Sequence, residues 1–312
     1  MSRAMRWAWV ALFLLLAAGA VVTNMNSRRI LVLHEGTADS ASTNAFGRGV
    51  GAVLGQLSRL KLRHQYLAFD PSVCQRVLAQ MQAFDPHAVI AEGAGARQCL
   101  DSQPRQASPV VAMPDTPAQV VDQGRHVAAW GKVLSDLAQP GQRLLVLYGS
   151  DPEGLLEYQL MTDAARVAGL HLQPLAENTV LEPSMLERSV RQLGADLVFV
   201  GRTLGRGQDS VGGLPQASWL RALRLATPQP ILASRLESLE LGADMVLLQA
   251  PEQRGEMLAQ MALAGRGTAL PSPTPPYEMA VGLQRDFVAR QRDALPSFYV
   301  LSARLAGFLS GP

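Results

Sequence analysis

Leu144-Leu145-Val146-Leu147-Tyr148-Gly149-Ser150-Asp151-Pro152-Glu153-Gly154-Leu155 decides how the rest of the chain is read. Four consecutive apolar residues are too few for a helix and suit a strand buried on both faces. The run ends in Tyr148-Gly149-Ser150-Asp151, a turn of small polar side chains. Pro152 fits the first position of a helix, with Asp151 as its N-cap. Apolar spacing through Tyr158, Met161 and Ala165 continues that helix to Gly169, a C′ residue. The unit is therefore strand, polar loop, helix, with the positive helix end facing the loop. In open parallel α/β sheets, ligands bind outside this carboxyl end of the strands.

The same unit recurs upstream. Ile30–Leu33 is a strand that opens into the polar stretch His34–Thr43, and a helix follows with Phe46, Val50, Val53, Leu54 and Leu57 on one face. Leu62–Phe69 reads as a strand, and Asp70-Pro71-Ser72 starts a helix through Leu78 and Met81. Ala88–Ala91 is a strand ending in Glu92-Gly93-Ala94-Gly95, and Pro109–Met113 one ending in Pro114-Asp115-Thr116. Ala128–Leu137 is helical and stops at Pro140-Gly141. Downstream, strands are expected at His171–Leu175, Leu197–Val200, Ile231–Ala233 and Met245–Leu248. Helices are expected around Met185–Leu193, Trp219–Leu225 and Gly255–Leu263. Gly205–Gln216 is a glycine-rich loop, and Leu270–Pro276 holds four prolines in seven residues, an extended connector. Met279–Ala294 and Ser297–Phe308 read as two closing helices separated by Pro296. Regular alternation of strand and helix predicts an α/β protein of doubly wound parallel sheets with right-handed crossovers.

With 312 residues the chain has room for two domains. It is 48% hydrophobic and 17% charged, with a formal net charge of +2, a balance that gives no reason to expect a nucleic-acid partner. Arg3 and Arg6 precede Trp7–Val22, an uncharged apolar run, and Ala18-Gly19-Ala20 is a small-residue exit. This is the plan of a secretory signal peptide or, left uncleaved, a signal anchor, with the remainder outside the cytoplasm. Export makes a Cys74–Cys99 disulfide permissible, and two separate buried thiols are the alternative. Neither cysteine lies in a C-x-x-C motif. His34, His64, His87, His126 and His171 have no metal-ligand spacing. Gly93-x-Gly95 lacks the third glycine of a dinucleotide loop, and no G-x-S-x-G elbow is present. No metal, cofactor or catalytic group is therefore expected, and the protein reads as a non-enzyme.

The tail carries a resemblance. Leu241-Gly242-Ala243-Asp244, Leu263-Ala264-Gly265-Arg266-Gly267, Pro271–Tyr277, Val281-Gly282, Ala289 and Leu295-Pro296 follow the pattern of ABC transporter substrate-binding proteins of the TrpX-like branch. The chain departs from it at Gly282, where the family has Asn, and in the glycine-rich 205–213 segment. The resemblance implies a type I periplasmic-binding fold, periplasmic, with an interlobe cleft. Residues 1–26 would be the signal or anchor, 27–128 plus 244–270 the N-terminal lobe, and 129–243 plus 271–312 the C-terminal lobe. It implies a small-molecule ligand bound by open-to-closed motion, an ABC permease as partner, and membrane contact only through the N-terminus.

By the same plan the ligand meets loops after the strands. These offer Glu35, Thr37, Asp39, Ser40, Ser42, Glu92, Asp115 and Thr116 from the first lobe, and Tyr148, Ser150, Asp151, Arg202, Thr203, Ser234 and Arg235 from the second. Acids predominate in the first set and arginines occur only in the second, which suits an amino acid or similar zwitterion or carboxylate. Each has a plainer role: Ser and Thr as helix caps, Glu35 and Asp115 as charges favouring nearby helix N-termini, Arg202 and Arg235 as surface groups. Two other readings stand beside the importer component: a membrane-tethered periplasmic sensor reporting to a signalling partner, and a two-lobed glycosyltransferase-like enzyme. An exported address argues against the latter.

Overall fold

The computed structural model describes residues 28–57, 60–68, 70–102, 110–112, 123–179, 183–201, 216–264, 278–292 and 294–311. The chain divides into two compact units. One comprises Met1–Ala38, Gly47–Met113 and Gly255–Ala269, the other Asp39–Phe46, Pro114–Arg254 and Leu270–Pro312. The expected signal or anchor at residues 1–26 lies outside the described residues. Among the described residues, no helix is long and apolar enough to cross a membrane.

In the first unit, β1 (Arg28–His34) is followed by α1 (Ala41–Leu54), β2 (Leu60–Tyr66), α2 (Cys74–Phe84), β3 (Ala88–Glu92), α3 (Ala94–Asp101) and β4 (Val110–Ala112). The division between units falls inside α1. The four strands form one parallel sheet in the order β2-β1-β3-β4. Leu31, Leu33, Val89 and Ala91 project from one face onto Val77, Leu78 and Met81 of α2 and Leu100 of α3. Cys74 and Cys99 are joined by a disulfide that ties α2 to α3.

The second unit continues with α4 (Gln123–Leu137), β5 (Arg143–Tyr148), α5 (Pro152–Ala168), β6 (His171–Ala176), α6 (Pro183–Leu193), β7 (Leu197–Val200), α7 (Gln216–Ala226), β8 (Ile231–Ala233) and β9 (Met245–Gln249). Helix α8 (Pro251–Ala264) contains a further division point, and β10 (Met279–Gln284), α9 (Arg285–Arg290), α10 (Ser297–Ala306) and β11 (Leu309–Ser310) close the chain. The seven strands run β11-β10-β9-β8-β7-β5-β6. Helix α5 forms as its sequence requires. Asp151 caps it by accepting from the Gly154 N–H at 2.6 Å, proline stands in its first turn, and Gly169 ends it at φ +71°. The sheet is covered on both faces. Val146, Phe199 and Leu232 meet Trp130 of α4 and Leu160, Met161 and Ala164 of α5. Leu147, Val198 and Val200 meet Leu186 and Val190 of α6 and Trp219 and Leu223 of α7.

Three expectations are corrected. Met279–Gln284 is a strand, antiparallel to β9, so the second sheet is mixed rather than purely parallel. Ala94–Asp101, where no helix is expected after the strand end at Glu92-Gly93-Ala94-Gly95, is a helix. The segment 244–254 belongs to the second unit rather than the N-terminal lobe, because β9 takes its hydrogen bonds from β8 and β10.

Candidate functional site

Both sheets share one winding. Order 2-1-3-4 in the first and 6-5-7-8-9 in the second put the reversal of strand order between β1 and β3, and between β5 and β7. Such switch points open a crevice outside the carboxyl ends of the strands. Here they carry His34, Glu35, Glu92 and Gly93 in one unit, and Tyr148, Gly149 and Gly201 in the other.

In the first unit the parallel register sets His34 beside Tyr66 of β2 and Glu92 of β3. His34 is completely buried and Glu92 is 5% exposed. The Nδ1 of His34 donates to the Glu92 carboxylate, and its Nε2 meets Nδ1 of His64 at 2.8 Å. Its ring lies 4.8 Å from the Tyr66 ring, the planes within 11°. Burial, and then the neighbouring His34, lower the pKa of His64 from 6.5 to about 4, so it is neutral at pH 7. A carboxylate only accepts, so Nδ1 of His34 carries a proton, and one further proton lies between His34 Nε2 and His64 Nδ1. The outer nitrogen of His64 is then a donor when His34 is cationic and an acceptor when His34 is neutral. The sequence displayed these histidines as scattered; the strand register assembles them.

Glu35 follows β1, and its amide donates to the Glu92 carbonyl at 3.0 Å. Its side chain lies against Gly93 and Gly95, where a β-carbon on Gly95 would stand 3.0 Å from Glu35 Cγ and one on Gly93 would collide with the carboxylate. Gly93 has φ +91°. The G-x-G fragment thus makes room for Glu35 at the N-terminus of α3, where a negative charge is favoured. Ser40 caps α1: its Oγ accepts from the Thr43 amide at 3.1 Å. Thr37 and Ser42 are half-buried, and Asp39 is exposed.

In the second unit Tyr148 stacks on Tyr158 at 4.6 Å, and Ser150 is exposed. Ser234, just past β8, donates to the carboxylate of Glu157 on α5, a residue 2% exposed. Gly201, after β7, leaves no ordinary space for a side chain: a β-carbon would lie 3.1 Å from both Glu157 Oε2 and the Leu147 carbonyl. Glu157 is not among the site residues expected from the sequence. Its signal was an acid at helical spacing with the apolar residues Leu160, Met161, Ala164 and Ala165. Arg235 lies 3.9 Å from Glu237, and its side chain is 17% exposed. Asp115, Thr116, Arg202 and Thr203 lie outside the described residues. Among the described residues, no group of three or more His, Cys, Asp or Glu is arranged to hold a metal ion.

No family model and no curated protein matches the chain. Solved structures do. A conserved domain protein from Vibrio cholerae aligns with 89% of this chain and 99% of its own, at TM-score 0.59 and 13% identity. An ABC domain from Streptococcus pneumonia in complex with L-Trp aligns over the same shares, at TM-score 0.60 and 16% identity. A ligand-free, open substrate-binding protein with adhesive properties from Clostridium difficile covers 86% of this chain and 96% of its own, at TM-score 0.58 and 13% identity. The fold is that of type I periplasmic-binding-like proteins.

Proposed function

We propose that this chain is a non-enzymatic, extracytoplasmic solute-binding protein that delivers a small molecule to an ABC importer. The observation that carries the reading is the repeated switch point: two sheets wound alike, each with polar and aromatic side chains at its crevice. The likeness in fold to substrate-binding proteins supports it. Residues 1–26, with two arginines before an apolar run, would direct export.

The ligand class is an amino acid or a related zwitterion or carboxylate. Arg235, at the carboxyl end of β8, and the N-terminus of α5 would receive its carboxylate. In the first unit Glu92 holds His34, so Glu35 and the outer edge of His64, rather than an open Glu92 carboxylate, are the groups there suited to an ammonium. Tyr148, half-buried, offers a ring for an apolar side chain.

A thermal-shift screen of the full chain against amino acids, small carboxylates, purines and sugars tests this. A ligand at one hundred times its Kd adds about 2.7 kcal/mol of stability. An amino-acid response abolished by Arg235→Ala is the expected result. A response to an uncharged sugar alone would overturn the zwitterion assignment and keep the class. No response across the panel would overturn solute binding.

A further inference from the structure

Helix α10, in the second unit, is turned the wrong way round for a surface helix. Its inward side is thin: Tyr299 and Ala303 are buried, and the Tyr299 hydroxyl donates to Asp136 of α4 at 2.7 Å. Its outward side carries Phe298, Leu301 and Leu305, spaced i, i+3, i+7 and exposed by 50%, 57% and 79%. An amphipathic surface helix ordinarily presents polar residues there. Beside this stripe runs an open groove of about 530 Å³, lined by Arg285, Val288, Val300, Arg304, Gly307 and Leu309. Arg224 and Arg290 bond to Asp244, whereas Arg285 and Arg304 have no carboxylate partner among the described residues. A further cation, Lys132, stands 5.7 Å from the Phe298 ring centre while its ammonium bonds Asp136.

Apolar side chains flanked by cations call for an anionic, amphipathic occupant. A second copy of this chain packed symmetrically on the stripe would gather the Arg285 and Arg304 side chains of both copies at one interface, a like-charge burden. A phospholipid surface meets both demands: apolar side chains enter the boundary between headgroups and acyl chains, and arginine heads stay with the phosphates. We propose that the outward face of α10, with the Arg285–Arg304 groove beside it, docks on an anionic phospholipid bilayer. The contact needs no solute at the strand ends and stands apart from the solute-binding reading.

The test places an environment-sensitive fluorophore on Leu305→Cys of the full chain, whose native cysteines are bonded to each other. Reading at Leu305 separates this contact from any insertion of the apolar N-terminal segment. Mixed phosphatidylcholine–phosphatidylglycerol vesicles should shift the emission to the blue, pure phosphatidylcholine should do so far less, and high salt should reverse the shift. Arg285→Gln or Arg304→Gln should each weaken the response about fivefold, the effect of removing one basic residue near an anionic surface. Both arginines are exposed, so neither change threatens folding. An equal response to neutral and anionic vesicles would overturn the proposal, as would vesicles that capture the protein while the probe stays silent. A probe already blue-shifted without vesicles would assign the stripe to another part of the chain, or to a second copy if the shift rises with concentration. A response to soluble polyglutamate but not to vesicles would assign it to an acidic protein. Each of these also overturns it.

Discussion

At the scale of single residues, the chain spends its buried charge at two kinds of place, and they behave differently. His34, His64 and Glu92 sit at the carboxyl ends of strands, where burial and His34 hold His64 neutral, its pKa near 4 against 6.5 when unfolded. Between those two values the unfolded chain binds the extra proton and the folded chain does not. His64 therefore adds to stability above about pH 6.5 and withdraws that contribution as pH falls toward about 4. The melting temperature of the native protein should drop through this window, and His64→Gln should flatten the drop; an unchanged pH profile in the variant would refute the role. Asp244 lies at the other end of the strands and is structural. Its carboxylate accepts from the Ile231 amide at 2.8 Å, from Arg290 at 2.6 Å and from Arg224. Asp244→Ala leaves a buried amide and two guanidinium groups without their acceptor, so a loss of about 3 kcal/mol is expected in denaturant unfolding. The Asp244 cluster explains part of the tail pattern in packing terms alone. The histidine cluster was not legible in the sequence, because its members are 30 and 58 residues apart and only parallel register unites them.

At the scale of elements, what could be read followed from whether local preference and tertiary demand agree. Helix α5 was legible to its last residue because Asp151, Pro152 and Gly169 each satisfy a local need. Helix α3 was not, because Gly93 and Gly95 resemble a turn when their partner is unknown. They are glycines so that Glu35 fits against the helix start. Strand β10 was read as helix because Met279–Leu283 is apolar throughout and gives no period; pairing with β9 decides it. Gly282 stands within that strand, and a β-carbon there would lie 2.7 Å from Val246 Cγ2 and 2.9 Å from Leu236 and Leu239 Cδ1. Asn, the residue of the family pattern, does not fit this position without displacing all three. Gly282→Ala should cost about 1–3 kcal/mol by overpacking, and Gly282→Asn more. Chemical denaturation ranks them, and a neutral Asn variant would show that β10 packs otherwise in solution.

At the scale of the whole molecule, the two sheets repeat one winding with different reinforcement. The second sheet buries its strands between two apolar layers, one built on α4 and α5, the other on α6 and α7. The first has four strands among the described residues, a smaller apolar cluster under α2 and α3, and the Cys74–Cys99 bond. A small core gains proportionally more from a covalent tie, which lowers the entropy of the unfolded chain. Closing a loop of 25 residues is worth about 3.5 kcal/mol in the chain-entropy account. That contribution belongs to the unit that holds the bond, so reduction should act unevenly. Amides of β1, β3, α2 and α3 should lose protection in hydrogen exchange under dithiothreitol, while those of β5 and β7 keep theirs. Cys74→Ser with Cys99→Ser should reproduce the pattern without reductant. Equal loss in both sheets would mean that the bond supports the chain as one cooperative body rather than the first unit alone.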